Sequence, residues 1–214
     1  MIKIAVLASG QGTNLQALID ACQSGQIRGS IVGVLCNRAD AYALERAEQA
    51  GIRRVVVDHH NFTDRASFEN ELIQVLQSWQ VDLIVLAGFM RVLTANFVTR
   101  YSGQIVNIHP SLLPAYKGLR THQRVLDSGE QLHGCSVHFV TPELDSGAVI
   151  AQAIHPIAPH ETLESLQRRI HALEHEVYPR IIGWIAAGRV AFLGSQVYLD
   201  GAVMKHPVRF WQHG

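Results

Sequence analysis

The sequence contains little cysteine and no long run of apolar residues. Its three cysteines, Cys22, Cys36 and Cys135, are odd in number and widely spaced along 214 residues, which excludes a disulfide framework and a Cys-x-x-Cys zinc cage. We expect all three to be reduced. No apolar segment reaches the length of a membrane span, and the first residues lack the apolar core and cleavage site of a signal peptide. These absences predict a cytoplasmic protein that does not contact a membrane.

The sequence also lacks a net charge. Eighteen basic residues balance eighteen acidic ones, so the chain has no broad positive surface of the kind that binds nucleic acid. A small anionic substrate held by a few local groups fits this balance better. The hydrophobic fraction is 48%, which is enough for a chain of this length to bury one full core. We therefore predict a single domain, residues 1–214, without a nucleic-acid partner.

Short β-branched runs alternate with helical patterns along the chain. This alternation predicts an α/β fold, a doubly wound and mostly parallel sheet with helices on both faces. The predicted strands span residues 4–8, 31–36, 54–57, 83–86, 105–108, 136–140 and 149–154. The predicted helices span residues 15–23, 41–50, 65–80 and 94–101, and the longest begins near Thr162, where apolar residues recur every three or four positions. A terminal hairpin is predicted to turn at Asp200-Gly201.

The most informative segment comprises residues 107–114, which read NIHPSLLP. Asn107 and His109 lie two positions apart on a predicted strand, so their side chains project from the same face. An amide donates to a developing oxyanion, an imidazolium releases a proton, and a carboxylate such as Asp145, in the later turn LDSG, stabilises the charged ring. A lone Asn-x-His is common by chance, but the rigid PSLLP tail and the second loop favour catalysis. The pattern therefore predicts an acyl-transfer site.

This constellation resembles the folate-dependent formyltransferase family, whose signature is Asn-x-His followed by Pro-Ser-Leu-Leu-Pro, with a catalytic Asp after the next strand. Residues 9–15, 86–91 and 133–140 resemble the branch of that family that acts in purine synthesis; they read SGQGTNL, LAGFMR and HGCSVHFV. The resemblance extends from about residue 1 to residue 188. It implies a Rossmann-like fold and transfer of the formyl group of 10-formyltetrahydrofolate to the amine of glycinamide ribonucleotide. We expect a monomer or a weak homodimer.

The turn after the first strand predicts a phosphate site. Gly10 and Gly12 allow a sharp turn that brings backbone N–H groups toward a ligand at the start of the next helix. Leu15 occupies the place of the third glycine of a dinucleotide fingerprint, and the Gly-Lys-Ser/Thr ending of a P-loop is missing. The loop therefore predicts one phosphate monoester held by Gly12, Thr13 and Asn14, with simple turn chemistry as the alternative. The resemblance assigns these three residues to the phosphate of glycinamide ribonucleotide.

A second loop, residues 87–93, follows the fourth predicted strand at the carboxyl end of the sheet, where open α/β folds bind ligands. Its apolar character suits a flat heteroaromatic ring. The resemblance implies that the backbones of two segments enclose the pterin of the cofactor, together with Asn107. Arg65 is implied to touch the cofactor as well, and a solvated cation at a helix end is the alternative for it. The implied residues of the two segments are Met90, Arg91, Val92, Leu93, Thr141, Pro142, Glu143, Leu144 and Asp145.

Residues 171–175 match the His-x-x-Glu-His pattern of some zinc peptidases. Such an enzyme also needs a third ligand, usually acidic and downstream. No Glu follows Glu176, and the one later Asp is Asp200 near the terminal turn. We therefore expect no metal. The resemblance instead assigns His171 and Glu174 to the sugar and glycinamide end of the substrate, where Glu174 accepts hydrogen bonds from ribose hydroxyls.

The sequence departs from the family pattern at two positions. Arg120 occurs where the family commonly has a histidine, and Ala148 occurs where it frequently has a proline. These differences leave open the detail of the loop between Pro114 and His122, which could close over the substrate. We further predict that residues 1–100 mainly bind the phosphoribosyl substrate, that residues 101–190 contain the catalytic and folate-binding groups, and that residues 191–214 form a strand hairpin and a tail.

Three alternatives share part of this pattern. A formyl-tRNA-forming enzyme would add an RNA-binding C-terminal domain and a basic surface, which the length and net charge oppose. A formyltetrahydrofolate hydrolase would have the same trio but usually contains an N-terminal regulatory domain, whereas Met1 here directly precedes the first strand. A non-catalytic nucleotide-binding module would leave Asn107, His109 and Asp145 without purpose. No Ser or Cys beside the trio is an obvious covalent nucleophile, so we expect the amine to attack the formyl carbon directly.

Overall fold

The computed structural model describes residues 1–211, so the end of the predicted tail, residues 212–214, lies outside the described residues. The strands are β1 (Ile2–Ala8), β2 (Gly29–Cys36), β3 (Arg54–Val56), β4 (Leu83–Leu86), β5 (Ile105–His109), β6 (Leu132–Phe139), β7 (Val149–Pro156), β8 (Val190–Leu193), β9 (Gln196–Leu199), β10 (Ala202–Val203) and β11 (Val208–Trp211). The α-helices are α1 (Thr13–Gln23), α2 (Ala43–Gln49), α3 (Arg65–Ser78), α4 (Ala95–Arg100), α5 (Thr121–Asp127) and α6 (Leu163–Ala186).

Eight of these strands form one sheet in the order β11-β7-β6-β5-β4-β1-β2-β3. Neighbouring strands are parallel except in the pairs β5–β6 and β6–β7. The strand order reverses between β1 and β4, and ligands of open α/β sheets bind at such a point. The structure therefore confirms the predicted doubly wound, mostly parallel sheet. Strands β8, β9 and β10 form a separate antiparallel sheet.

The central strand β1 is buried on both faces. Ile4, Val6 and Ala8 belong to a buried cluster that includes residues of α1 and α6, whereas Ala5 and Leu7 belong to a second cluster with residues of α3 and α4. Successive side chains of a strand point to opposite faces, so a strand covered by helices on both sides needs apolar residues at every position. This arrangement confirms the predicted helices on both faces.

Some elements differ from the sequence-based prediction. Helix α5 and the strands β8 and β11 are additional, and all three are short; β11 is an edge strand that pairs with β7, so its partner depends on the assembled fold. The predicted hairpin at Asp200-Gly201 is confirmed, because Ala202 pairs with Leu199 across it. No helix among residues 1–211 is both long and apolar enough to cross a membrane.

The long helix α6 is fixed to two central strands by one of its side chains. It begins directly after Thr162, as predicted, and the Thr162 hydroxyl accepts a hydrogen bond from the N–H of Ser165. The fully buried hydroxyl of Tyr178 lies 2.9 Å from the carbonyl oxygen of Leu86 in β4 and 3.1 Å from that of Val106 in β5. Residues four apart lie on one helix face, so this anchor also positions Glu174.

Candidate active site

Strand β5 ends in two of the predicted catalytic residues. It stops at His109, because Pro110 has no N–H to continue the ladder. The antiparallel neighbour β6 pairs Asn107 with His138 and His109 with Ser136. Asn107 and His109 therefore project from one face of the sheet, as predicted. The same register brings His138, which had no predicted role, directly beside Asn107.

The hydrogen bonds of His138 determine its tautomer. Its Nδ1 lies 2.9 Å from the carbonyl oxygen of Phe139, so the hydrogen is on Nδ1 and donates to that oxygen. The Nε2 lone pair then accepts from Nδ2 of Asn107 at 3.2 Å. Burial lowers the pKa of His138, which keeps the ring neutral and this acceptor available. The second amide hydrogen of Asn107 is left to donate to an oxyanion.

Asp145 faces both histidines from the loop after β6. Its side chain is 8% exposed, with Oδ2 3.5 Å from Nδ1 of His109 and Oδ1 4.0 Å from Nε2 of His138. The N–H of Gly118 donates to the same Oδ2 at 2.8 Å, and Nε2 of His109 lies 3.0 Å from the carbonyl oxygen of Tyr116. The structure thus brings the predicted trio together in a buried centre, where an imidazolium needs a nearby counter-charge.

Buried polar side chains of β6 and β7 hold the segment that follows β5. The hydroxyl of Ser136 donates to the carbonyl oxygen of Ser111 at 2.7 Å and accepts from the N–H of Leu113 at 3.0 Å. Gln152 donates to the carbonyl oxygen of Leu113 at 2.9 Å. These bonds satisfy backbone groups that a buried loop would otherwise leave unpaired. The PSLLP segment therefore has a fixed path beside the catalytic trio.

The loop that contacts Asp145 turns sharply. Tyr116, Gly118 and Arg120 have φ angles of 54°, 79° and 55°, all in the left-handed region. Arg120 is exposed, and its side chain makes no capping bond to α5. Ala148 contributes a backbone carbonyl that accepts from β6, and a proline would supply the same carbonyl. The contacts of Asp145 are with Gly118, His109 and His138, so neither Arg120 nor Ala148 takes part in them.

The glycine loop forms the start of α1. Gly12 has a φ of 69°, and a Cβ at this position would lie 2.8 Å from Cα of Ala43, so only glycine fits there. The unpaired N–H groups at a helix start, here from Thr13 onward, form a ready anion site. Asn14 donates through Nδ2 to Oε2 of Glu174 at 2.9 Å. The structure therefore places the residues predicted to bind phosphate beside Glu174 of α6, which is predicted to bind the sugar.

Glu174 is buried beside this loop. It is 4% exposed, and burial raises its pKa to about 7, an effect that the hydrogen bond from Asn14 opposes. Oδ1 of Asn14 is buried without a hydrogen-bond partner among residues 1–211. Both side chains therefore offer oxygen acceptors for hydroxyl groups. His171 lies nearly one turn earlier on α6, with its ring 6.3 Å from that of His122.

The residues predicted to enclose a pterin lie in two other loops. In the loop after β4, Met90 and Val92 are 68% and 51% exposed, whereas Leu93 is buried. In the loop after β6, Leu144 is 52% exposed. Leu93 and Val140, the residue just after β6, belong to the same hydrophobic cluster, which anchors both loops on one face of the sheet. Exposed apolar side chains on anchored loops suit a flat, partly apolar ligand.

The two predicted cations of this region both lie near helix α3. Arg65 is exposed at its first position. The guanidinium of Arg91 lies 5.9 Å from the ring centre of Phe68 in the same helix, within the range of a cation–π contact. Their contact with a folate remains a prediction, as does that of Thr141, Pro142 and Glu143.

Known proteins are similar to this chain in sequence and in fold. The profile of the family described as "Formyl transferase" matches residues 2–182. The phosphoribosylglycinamide formyltransferase of Haemophilus influenzae is 48% identical over 204 residues, which are 95% of this chain and 96% of that protein. The Escherichia coli protein of the same name is 46% identical over 200 residues, 94% of each chain. The structure of the Coxiella burnetii phosphoribosylglycinamide formyltransferase in complex with CHES has a TM-score of 0.94 and 50% identity, and covers 98% of this chain and 99% of that chain.

The chain belongs to the formyl transferase family. Three residues that shape the centre of this formyl transferase, Ser136, His138 and Gln152, had no predicted role. Their contacts depend on the register of β5, β6 and β7, which local periodicity does not specify. A signal for two of them was present, because Ser136 and His138 are polar residues at alternate positions in the part of β6 that follows His133 and is otherwise without polar side chains.

The His-x-x-Glu-His match of this formyl transferase lies in a different setting from that of a peptidase. Its Glu174 is bonded to Asn14 in the phosphate loop. Among residues 1–211, one group of three side chains brings potential metal-ligating atoms close together. It consists of Asp58, His59 and His60, which lie outside the motif. The motif therefore reflects two histidines on one helix rather than a converging ligand set.

Proposed function

We propose that this protein transfers the formyl group of 10-formyltetrahydrofolate to the primary amine of glycinamide ribonucleotide. The observation that supports formyl transfer best is the meeting of Asn107, His109 and Asp145, because it supplies an oxyanion donor, a proton donor and a counter-charge in one buried centre. The choice of amine is supported by relatives of 48% and 46% identity, whose name is that of the glycinamide reaction.

The reaction begins when the amine nitrogen attacks the formyl carbon. A C–N bond forms, and the carbonyl oxygen takes up the electron pair and becomes an oxyanion. The free amide hydrogen of Asn107 donates to that oxygen, and the imidazolium of His109 stabilises its charge. His109 then gives its proton to the leaving nitrogen of the tetrahydrofolate as the old C–N bond breaks. The proton lost by the amine passes to Asp145 and on to His109, so protons balance over the cycle.

The ribonucleotide lies along the glycine loop and α6. N–H groups at Gly12 and Thr13 bind its phosphate at the helix start, and Asn14 contributes the amide hydrogen that it does not donate to Glu174. Glu174 accepts from the ribose hydroxyls, since its second oxygen is not bonded to Asn14, and His171 contacts the same substrate. This arrangement directs the glycinamide amine toward β5.

The folate lies at the loops after β4 and β6. In this proposal the backbones of residues 90–93 and 141–145 enclose the pterin, Asn107 faces the formyl group, and Arg65 meets an anionic part of the cofactor. The exposed side chains of Met90, Val92 and Leu144 support this location, because they offer apolar contact to a flat ring. The side chains alone account for each proton transfer, so the proposal includes no metal.

The decisive experiment follows the formyl carbon. Purified protein is mixed with 10-formyltetrahydrofolate labelled with carbon-13 in the formyl group, with and without glycinamide ribonucleotide, and NMR identifies the labelled product. We expect label in a formamide of the ribonucleotide, and only when the amine is present. His109→Ala is the control for chemistry at the proposed centre. Release of labelled formate at the same rate without the amine would establish a hydrolase and contradict the proposal.

A further inference from the structure

A buried serine joins the two loops that follow β1 and β4. Ser9 comes directly after β1 and is 6% exposed. Its hydroxyl accepts a hydrogen bond from the N–H of Met90 at 2.8 Å and donates one to Oδ1 of Asn37 at 2.5 Å. Its own N–H donates to the carbonyl oxygen of Gly88 at 3.1 Å. Ser9 therefore belongs to the glycine loop and makes two hydrogen bonds to the loop of Met90.

The Ser9 hydroxyl makes its hydrogen bonds with other atoms of the protein. A serine hydroxyl has one hydrogen to donate, and here that hydrogen points to Asn37. Asn37 follows β2, is 2% exposed, and has its Nδ2 3.4 Å from Nδ1 of His59. The acceptor of the Ser9 hydrogen is thus itself held in place. Through these two bonds the buried hydroxyl orders the backbone of the Met90 loop.

The bond to Met90 holds the backbone of an exposed loop. The Met90 side chain is 68% exposed, yet its N–H is paired with a buried hydroxyl instead of being left to water. The far end of the same loop is held as well, because the N–H of Thr94 donates to Oε1 of buried Glu69 at 2.7 Å. The loop is therefore fixed at both ends, and Ser9 makes the side-chain bond next to the exposed apolar residues.

We propose that Ser9 is a positioning residue that holds residues 88–93 in their folate-binding conformation by fixing them to the base of the phosphate loop. This inference rests on the proposed function, since it takes residues 90–93 as part of the folate site. The strands β1 and β4 that precede the two loops are adjacent and parallel, and they lie where the strand order reverses. One hydroxyl at that junction can therefore order the backbone of a substrate site without touching the substrate.

Ser9→Ala removes the hydroxyl and leaves the Met90 N–H and the Asn37 Oδ1 without their partner. We expect a roughly tenfold rise in the Kd and KM for the folate, which is the scale of one lost hydrogen bond with an unsatisfied partner. The kcat should stay within about twofold, because the bond is the same in the ground state and the transition state. Binding of glycinamide ribonucleotide should also stay within about twofold, since the N–H groups of α1 that face its phosphate are unchanged.

Two measurements separate positioning from a general structural role. Amide hydrogen exchange by NMR should be faster at Met90 in Ser9→Ala than in the wild type, and Ser9→Thr, which restores a hydroxyl, should recover both the protection and the folate affinity. Ser78→Ala is the matched control, because it removes a serine hydroxyl that bonds the Val75 carbonyl at the end of α3, away from both loops. It should leave the Kd for folate and the exchange of Met90 unchanged.

Asn37→Ala removes the side chain that accepts the hydrogen bond of Ser9. It also keeps the inference testable if Ser9→Ala does not fold. It keeps the Ser9–Met90 bond but frees the hydroxyl to rotate, so a rise of about threefold in folate Kd is expected. Unchanged folate Kd and Met90 exchange in the Ser9 and Asn37 variants would overturn the inference. An equal loss of affinity for both substrates with a lower Tm would also overturn it. Wild-type protein that transfers no formyl group to the ribonucleotide would instead contradict the proposed function, whatever the variants do.

Discussion

Two ends of the proposed site are built in different ways. The sugar–phosphate end consists of one turn, the start of α1 and one face of α6, and Gly12 is its left-handed residue. The formyl end joins β5, β6 and two irregular loops, in which Tyr116, Gly118 and Asp145 all have positive φ. An anion needs only a row of N–H groups, whereas acyl transfer needs several groups at fixed mutual distances. The sugar–phosphate end is therefore built mainly from regular elements, whereas the formyl end combines strand residues with loops that tertiary contacts constrain.

The largest effect on turnover is expected at the formyl end. Asn107→Ala removes the proposed oxyanion donor, and loss of one such donor typically lowers kcat by about 10²- to 10³-fold. The Kd for glycinamide ribonucleotide should change little, since its phosphate lies at the other end. Steady-state kinetics and calorimetric binding on the same preparation test this, with the far-UV circular dichroism spectrum as the control for folding. A variant with normal kcat would remove Asn107 from the mechanism.

A smaller loss of turnover is expected when His138, which orients the amide of Asn107, is removed. His138→Ala leaves Asn107 in place but deletes the acceptor that holds its amide at 3.2 Å. We expect kcat to fall by about tenfold, the scale of one hydrogen bond. His138→Gln offers an oxygen acceptor to the same amide and should recover part of the loss. Equal kcat in the Ala and Gln variants would show that His138 does not act through Asn107.

The sugar–phosphate end should respond in binding rather than in turnover. Asn14→Ala deletes a side chain that bonds Glu174 and that we assign to the phosphate. The KM for glycinamide ribonucleotide should rise by about tenfold with kcat within about twofold, because the contact is present in both the ground and transition states. Initial rates at varied ribonucleotide and saturating folate give both constants. If kcat fell and KM stayed constant, the two ends would not differ as proposed.

The smallest effects are expected on stability, where pH should act in opposite directions on two sets of buried groups. Burial lowers the pKa of His122 to about 4 and that of His133 to about 3, from 6.5. The two neutral rings are joined by a hydrogen bond of 2.9 Å between Nδ1 of His122 and Nε2 of His133. They destabilise the fold as pH falls from about 6.5 toward 3, because the unfolded chain then binds more protons. Burial raises the pKa of Glu174 from 4.5 to about 7, so its contribution to stability is lost as pH rises through that window.

Urea unfolding at several pH values separates these contributions. Glu174→Gln keeps an oxygen acceptor for Asn14 but cannot ionise, so its stability relative to the wild type should be greater at pH 7 than at pH 4.5. His122→Gln should weaken the loss of stability below pH 6.5. Parallel stability curves for the Glu174 variant and the wild type would contradict the raised pKa of Glu174.

The sequence predicted the parts of the site that depend on local chemistry. Strand geometry places Asn107 and His109 on one face, and the glycines of the first loop predict a sharp turn, which the structure shows as a φ of 69° at Gly12. The meeting of Asp145 with His109 was expected from the family resemblance, and the structure brings them to 3.5 Å. The short helix α5 was not predicted, because a two-turn element shows too little periodicity to be distinguished from a loop.

The sequence by itself determined the apolar run of β1, the glycine turn, the long apolar stripe of α6 and the order of amide, imidazole and carboxylate along the chain. Only the tertiary structure decided which groups meet. It paired Asn107 with His138 across β5 and β6, joined Asn14 to Glu174 across 160 positions, and bound the N–H of Met90 to Ser9. Periodicity describes which face a residue occupies, but strand register and loop path decide its neighbour, and both are set by packing of the whole chain.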